Sequence, residues 1–374
     1  MKKYDIIIVG GGLAGLTAAI DSKLKGHTVL VIEKKAYPHH KVCGEYVSNE
    51  VLPYLNSLGI FLDKYGAMNI NTMQFSTVAG DAVSTHLPLG GVGISRYAFD
   101  NILYKKATNL GVKFCFQSAL SIQFENAQFE VATDQKGIYT SSIVIGAYGK
   151  RSTLDKQLKR DFIQHKSAWL AVKAHYKYAF PSNLVALHNF KGGYGGLSKV
   201  ESGAVNFCYL ANYADFQKEK NIDNFNKNVV SKNPFLASFL KNAEPLFEEP
   251  LTIAQISFNS KKAVESEVLM CGDTAGLIHP LCGNGMSMAI HAAKIASELI
   301  HKFLADKNYS RIQLNEDYQK EWNFTFRQRL WVGRRVQSIL MNQTLSNVAL
   351  STAVKSPQIL RTLIERTHGK PIQI

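Results

Sequence analysis

The hydrophobic pattern changes its period several times along the chain. Tyr4-Asp5-Ile6-Ile7-Ile8-Val9 is a short β-branched run of the kind that forms a strand buried on both faces. Gly10-Gly11-Gly12-Leu13-Ala14-Gly15 follows it directly. Leu16-Thr17-Ala18-Ala19-Ile20 then opens a helix, and Thr28-Val29-Leu30-Val31-Ile32 predicts a second strand ending on Glu33. Far downstream, Val268-Leu269-Met270-Cys271 predicts another buried strand, turning through Gly272-Asp273-Thr274-Ala275-Gly276. An Ala- and Ile-rich helix after Gly283-Asn284-Gly285-Met286 runs to Leu299-Ile300. Between these, Met73 to His86 and Trp169 to Leu210 alternate apolar with polar positions, which predicts antiparallel strands of a second layer. From Arg311 onward the pattern is helical, with an apolar stripe of Trp322, Phe326, Leu330, Val336, Ile339 and Leu340.

The order strand, glycines, helix, strand, acid carries chemistry. Gly10 permits a tight turn, Gly12 lets backbone approach a pyrophosphate, and Gly15 lets helix and strand pack closely. The helix N-terminus offers N–H donors to phosphate charge. Glu33, eighteen residues after Gly15, is placed to accept ribose hydroxyls. The first motif leaves NAD and FAD both open. The glycines around Asp273, followed by a helix N-terminus, suit the ribityl chain and second phosphate of a long extended cofactor.

At 374 residues the chain is long enough for two or three domains, and 46% hydrophobic with 19% charged residues excludes wholesale disorder. Five scattered cysteines, Cys43, Cys115, Cys208, Cys271 and Cys282, form no C-x-x-C pair or Cys/His cluster, so neither a disulfide framework nor a structural metal site is expected. They suit a reducing cytoplasm. Asp5 and Gly10 to Gly12 interrupt the opening run, which therefore reads as strand and turn instead of a signal peptide. No uncharged apolar stretch reaches the roughly 18–20 residues of a membrane span. The expected location is cytoplasmic, with peripheral contact at the inner face of the membrane.

Several motifs together resemble those of FAD-dependent oxidoreductases in the geranylgeranyl reductase and aromatic hydroxylase (flavin monooxygenase) superfamily. They are Gly10 to Gly15, Gly272-Asp273-Thr274-Ala275-Gly276 with Pro280-Leu281-Cys282-Gly283-Asn284-Gly285, and Arg96-Tyr97-Ala98-Phe99-Asp100-Asn101-Ile102-Leu103. The resemblance covers most of the chain. It implies an α/β fold with a Rossmann-type FAD-binding domain of the glutathione-reductase-like, hydroxylase type. A mixed antiparallel substrate domain and a C-terminal helical tail complete it. The FAD domain is expected from 1–70, 96–155 and 256–310, the substrate domain from 71–95 and 156–255, and the tail from 311–374. The implied cofactor set is Gly10, Gly12, Leu13, Ala14, Gly15, Glu33, Lys34, Lys41, Arg96, Gly272, Asp273, Gly283, Asn284, Gly285 and Met286. Lys41-Val42-Cys43-Gly44-Glu45 is similar to a segment that the reductases place beside the isoalloxazine, which makes Cys43 and Glu45 candidate proton donors.

Departures refine the expectation. Tyr148 stands where the related A-D-G segment has aspartate, which weighs against direct reduction by NAD(P)H; NAD(P)H or another reductant remains the expected transient electron donor. Ser48 stands where disulfide reductases place their second cysteine, so the redox dithiol is absent. Halogenases share a Gly-Glu segment and Leu58-Gly59-Ile60, but this chain has no lysine between Lys64 and Lys105 and no paired tryptophan motif, so halogenation is disfavoured. Gly192 to Ser198 keeps Tyr194 but not the Trp or Phe-Pro of the reductases' tunnel motif, so a geranylgeranyl chain does not follow. His86, His175 and His188 read as core or surface residues, and His279 as the histidine whose loop faces the flavin.

The favoured activity is reduction or dehydrogenation of a double bond in a largely apolar small molecule. Alternatives are hydroxylation of an aromatic or polyene and, in another class, a non-catalytic nucleotide- or membrane-binding Rossmann protein. The net charge of +14 has no nucleic-acid module to explain it. Part of it is local: the last 64 residues hold ten Lys/Arg and four Asp/Glu, a surplus of +6. A basic amphipathic helix there predicts contact with an anionic membrane.

Overall fold

Ile6, Ile7 and Ile8 are fully buried at the centre of the first sheet, in the strand Lys2–Val9. That strand pairs in parallel with Val29–Ile32 on one side and Ile138–Gly146 on the other. Lys113–Cys115 extends the parallel order beyond Val29–Ile32, and Val268–Met270 beyond Ile138–Gly146. Ala119–Glu125 and Gln128–Thr133 join as an antiparallel meander ending on Ile138–Gly146. The computed structural model describes residues 2–164, 167–278, 283–341, 348–349, 351–352, 354–367 and 369–374. Helices Leu13–Leu24 and Gly285–Ala305 pack together against this sheet, with Ser22 and Ser297 hydroxyls 3.1 Å apart. Residues some 270 positions apart thus share one core, as the two outer glycine motifs require.

A second sheet runs in the order Glu244–Pro245, Trp169–Lys177, Val205–Asn212, Gly193–Lys199, Leu184–Phe190, Met68–Ser76, Ala82–Gly93 and Tyr46–Ser48. Leu251–Ala254 pairs alongside Trp169–Lys177. Every pairing is antiparallel except Leu184–Phe190 with Met68–Ser76. Tyr46–Ser48 and the start of Met68–Ser76 fall within the expected FAD segment 1–70 but belong to this sheet by hydrogen bonding. Strand periodicity divides its faces. Leu170, Val172, Phe207 and Tyr209 pack on Phe225, Leu236 and Phe239 of the outer helices. Ala171, Lys173, His175, Asn206, Cys208 and Leu210 alternate with the residues of that outer core and so turn to the opposite face.

The helix Arg311–Met341 lies along Gly285–Ala305. Leu314, Tyr318, Trp322, Phe326 and Leu330 are all buried there, so the first three residues of the expected apolar stripe, Trp322, Phe326 and Leu330, form a packing seam. Tyr318 donates to the Met270 carbonyl at 2.6 Å, and Arg329 pairs with the fully buried Glu50 at 3.1 Å. Ile339 departs from the expected stripe and is 38% exposed, while the side chains of Val336 and Leu340 lie outside the described set. The helix Pro357–Thr367 crosses the Ala82–Gly93 strand and seats Ile364 among Tyr46, Ile70, Met73, Phe75 and Leu87. Phe326→Ala removes a ring with no exposed surface and is expected to cost about 3–5 kcal/mol, measured by denaturant unfolding.

Candidate functional site

The two sheets enclose a cavity of about 1380 Å³, larger than the roughly 300–1,000 Å³ of a drug-sized pocket. Its lining joins Gly10, Gly12, Leu13 and Ala14 to Glu33 and Lys34, and then to Arg96, Gly272, Asp273, Gly283, Gly285 and Met286. It continues past Lys41, Cys43, Glu45, Cys208, Leu210 and Tyr194 to Met73, Phe75, Leu87, Val185 and Leu187. The expected cofactor residues are therefore brought together, with two exceptions. Gly15 sits behind the cavity, where a Cβ would come 2.0 Å from the Gly10 carbonyl oxygen; its smallness serves helix-to-strand packing. Asn284 is fully buried and hydrogen-bonds the Glu50 carboxylate. His279 and the segment Pro280-Leu281-Cys282 lie outside the described residues.

Four observations fit a dinucleotide to this surface. Gly10 has φ +106°, and a Cβ on it would lie 2.3 Å from the Ala147 carbonyl oxygen, so the turn demands glycine. At Gly12, by contrast, a Cβ would meet only Arg96 Nη2 at 3.6 Å and would project into the cavity. The helix beginning at Leu13 has no side-chain cap and no acid in its first turn, leaving its N–H donors for an anion. Gly272 (φ +60°) brings the Gly-Asp loop within 3.1 Å of Ala14 Cβ when its own Cβ is placed, so the two glycine motifs touch.

Glu33 Oε2 accepts from Gly11 N at 2.7 Å and Oε1 from Lys35 N at 3.1 Å. The carboxylate is thereby fixed at the cavity edge with acceptor capacity remaining for hydroxyls. Arg96 binds Asp100 in a fork, Nε to Oδ1 and Nη2 to Oδ2, both at 2.8 Å, while Lys41 Nζ reaches Oδ2 at 2.8 Å. Burial opposes charge on Asp100, but Arg96 and then Lys41 outweigh it and hold the carboxyl below its ordinary value. Arg96 and Lys41 both line the cavity from this anchored position.

The residues between Lys41 and Glu45 are held by four side chains from three neighbouring strands. Lys173 Nζ donates to the Lys41 carbonyl at 3.2 Å, Asn206 Nδ2 to the Cys43 carbonyl at 3.2 Å, and Ser198 Oγ to the Gly44 carbonyl at 3.3 Å. Glu45 then closes the clamp. Its Oε1 accepts from Lys173 Nζ and from Arg96 N at 2.7 Å, and its Oε2 from His175 Nε2 at 2.7 Å. Glu45 and Lys173 are fully buried. Burial pushes the Glu45 carboxyl upward, but the His175 hydrogen bond and the Lys173 ammonium prevail and hold it below its ordinary value of 4.5. Glu45 is therefore ionised at neutral pH and bound on both oxygens, which makes it a positioning residue and a poor proton donor. Cys43 Sγ, partly exposed, accepts from Glu45 N at 3.5 Å and faces the cavity. Burial pushes the neighbouring Cys208 thiol up to about 12, so it stays protonated.

Sequence reasoning missed Lys173, Asn206 and Ser198, and placed His175 among core or surface histidines. One signal was present: Lys173 and His175 alternate within the apolar run Trp169-Leu170-Ala171-Val172-Lys173-Ala174-His175, and residues two apart share a strand face. His188 is a core residue, bonded to Ser76 Oγ at 2.8 Å and lowered to about 4 by burial. Lys261 was missed too; burial lowers it to about 8, and it donates to the carbonyl of Asp273 at 2.8 Å. His40, Glu45 and His175 offer three ligand atoms within 4.8 Å of one another. The Lys173 ammonium on the same carboxylate opposes a cation there.

This arrangement is that of a Rossmann-type flavoprotein, with a dinucleotide surface running into an apolar compartment under a second sheet. The chain belongs to the FAD binding domain family, whose model matches residues 3–311. FAD is accordingly its cofactor. Among curated relatives, the digeranylgeranylglycerophospholipid reductase of Methanosarcina mazei is 24% identical over 369 residues, covering 91% of this chain and 86% of the relative. Digeranylgeranylglycerophospholipid reductase 1 of Methanosphaera stadtmanae is 23% identical, covering 87% and 82%. Among solved structures, the flavin-dependent halogenase CmlS superposes with a TM-score of 0.80 at 18% identity, covering all of this chain and 74% of that one. A geranylgeranyl bacteriochlorophyll reductase-like protein of Thermoplasma acidophilum gives 0.73 at 20% identity, covering 98% and 100%. The structural likenesses establish the fold.

Gly12→Val is expected to fold normally, since nothing but Arg96 stands near its Cβ, and to lose bound flavin; Asp273→Ala should lose it as well. The ratio of flavin to protein absorbance after purification reads both, and full occupancy in the two variants would refute the site. Lys173→Met strips a buried carboxylate of its cation and should cost about 3–5 kcal/mol in denaturant unfolding. Because the folded-state pKa of Glu45 is depressed, its contribution is present above the ordinary carboxyl value and is lost as pH falls through the folded value. Wild type should therefore lose stability on acidification more steeply than Glu45→Gln.

Proposed function

We propose that the protein is an FAD-dependent reductase or dehydrogenase acting on a carbon–carbon double bond of a largely apolar molecule. The observation that carries this reading is the continuity of the cavity. Its dinucleotide end passes the Cys43 loop and opens among Met73, Phe75, Leu87, Val185, Leu187 and Ile364, none of which bears a charge. FAD, when bound, supplies the hydride chemistry. The chain's own residues bind and orient. Met73, Phe75, Leu87, Val185 and Leu187 hold the substrate and exclude water, the clamp fixes the Cys43 backbone, and the Cys43 thiol is the available proton donor. The names of the archaeal relatives support the same class of reaction.

Oxygen insertion is the second reading, because a water-poor compartment also serves hydroxylation. Halogenation is less well supported. Lys41 and Lys173, whose side chains reach the Lys41 to Glu45 segment and its Asp100 anchor, are both committed to carboxylates. In the reductase reading, Cys43→Ala keeps its flavin and its photometric reduction by dithionite but slows double-bond reduction about 10²- to 10⁴-fold. Reoxidation of the reduced wild type by air should be a single phase with hydrogen peroxide released in full. An oxygenated product recovered from an extract of candidate apolar substrates would favour the hydroxylase instead.

A further inference from the structure

Burial of Leu314, Tyr318, Trp322, Phe326 and Leu330 settles which side of the long helix faces the body of the protein. The opposite side has an unusual composition. Lys320, Phe324, Arg327, Trp331, Arg335 and Ile339 follow one another at spacings of three or four residues and are all exposed, so they form one stripe. Phe324 is 87% exposed and Trp331 53%, and the Arg335 guanidinium lies 5.1 Å from the Trp331 ring centre. Glu316 and Asp317, one turn before Lys320, and Glu321 are the acids that border it; the stripe from Lys320 to Ile339 itself carries Lys320, Arg327 and Arg335. The stripe ends where Ile339 joins Ala349 and Ile364 in the lining of the cavity, at its apolar end.

We propose that this face docks the protein on an anionic phospholipid surface, with the apolar end of the cavity turned toward the membrane. Three features of the face select that occupant. Aromatic rings interleaved with cations suit the headgroup layer, where Trp and Arg present an apolar body and a polar tip. The positive charges attract an anionic leaflet over about 10 Å at 0.1 M salt. The stripe also ends beside apolar lining of the cavity, Ile339 and Ile364, so docking there would place the membrane next to the compartment that suits an apolar molecule. The docking surface stands whatever reaction the flavin performs, and vesicle binding reads it without turnover.

Trp331 is its own reporter, because Trp169 and Trp322 are both buried. The test uses the FAD-loaded full chain with vesicles of phosphatidylcholine alone and of phosphatidylcholine mixed with phosphatidylglycerol. The mixed vesicles should pellet the protein at low salt and shift Trp331 emission to the blue, and added salt should reverse both. Phe324→Ser and the double variant Arg327→Gln, Arg335→Gln should keep flavin occupancy and each weaken binding roughly tenfold or more. Absence of any shift or pelleting with mixed vesicles overturns the proposal, as does equal binding to phosphatidylcholine alone. Dimerisation in light scattering that Phe324→Ser abolishes would overturn it too, and would assign the face to a second copy of the chain.

Discussion

The buried carboxylate of Glu45 is the interaction on which the two layers depend. Glu45 sits at φ +56° and is reached by the backbone of the Arg96 helix from one side and by Lys173 and His175 of the second sheet from the other. Removing a carboxylate and an ammonium from water is costly, and the pair persists because further hydrogen bonds satisfy what the ion pair leaves open. The reward is geometric. Lys173, Asn206 and Ser198 each hold a successive part of the Lys41 to Glu45 backbone, so Cys43 is fixed where the dinucleotide surface gives way to the apolar compartment. An apolar interface of the same area would join the sheets without specifying the register of that loop.

The parts of the protein legible in the sequence were those with a local physical signature. The run of isoleucines before Gly10, the three-residue spacing of Gly12 and Gly15, and Glu33 after the second strand announce a dinucleotide turn because each follows from strand and turn geometry. The alternation at Trp169 to Lys177 announced a half-buried strand but not what its inner face would meet. Lys173 bonds a carboxylate 128 positions away, and Ser198 a carbonyl 154 positions away. No local pattern encodes such pairings. The tail was legible as an amphipathic helix with Trp322, Phe326 and Leu330 on one stripe, yet its sequence did not say whether that stripe would meet the protein or a membrane, and the second stripe with Phe324 and Trp331 went unread. Trp322 and Phe326 went inward because they meet the Gly285–Ala305 helix; Phe324 and Trp331 were left outside.

The two ends of the cavity differ in how much change they tolerate. The dinucleotide end is built from tight turns in which an added methyl group would strike backbone, as at Gly10 and Gly15. The far end is built from Met73, Phe75, Leu87 and Ile364, side chains that can be exchanged for others of similar volume at modest cost. Sequence change is thus easier to absorb at the apolar end than at the dinucleotide end.

One contact of the tail has a thermodynamic meaning beyond packing. A Cβ at Gly276 would lie 2.9 Å from the Trp322 ring, and Tyr318 bonds the Met270 carbonyl just before the Gly-Asp loop. The long helix therefore forms the floor beneath the loop that carries Asp273. By linkage, a ligand that binds only when this loop is formed also favours the docked helix, and the docked helix favours the ligand to the same degree. Flavin loading and docking of this helix would thereby be coupled, and bound flavin would protect the helix from proteolysis.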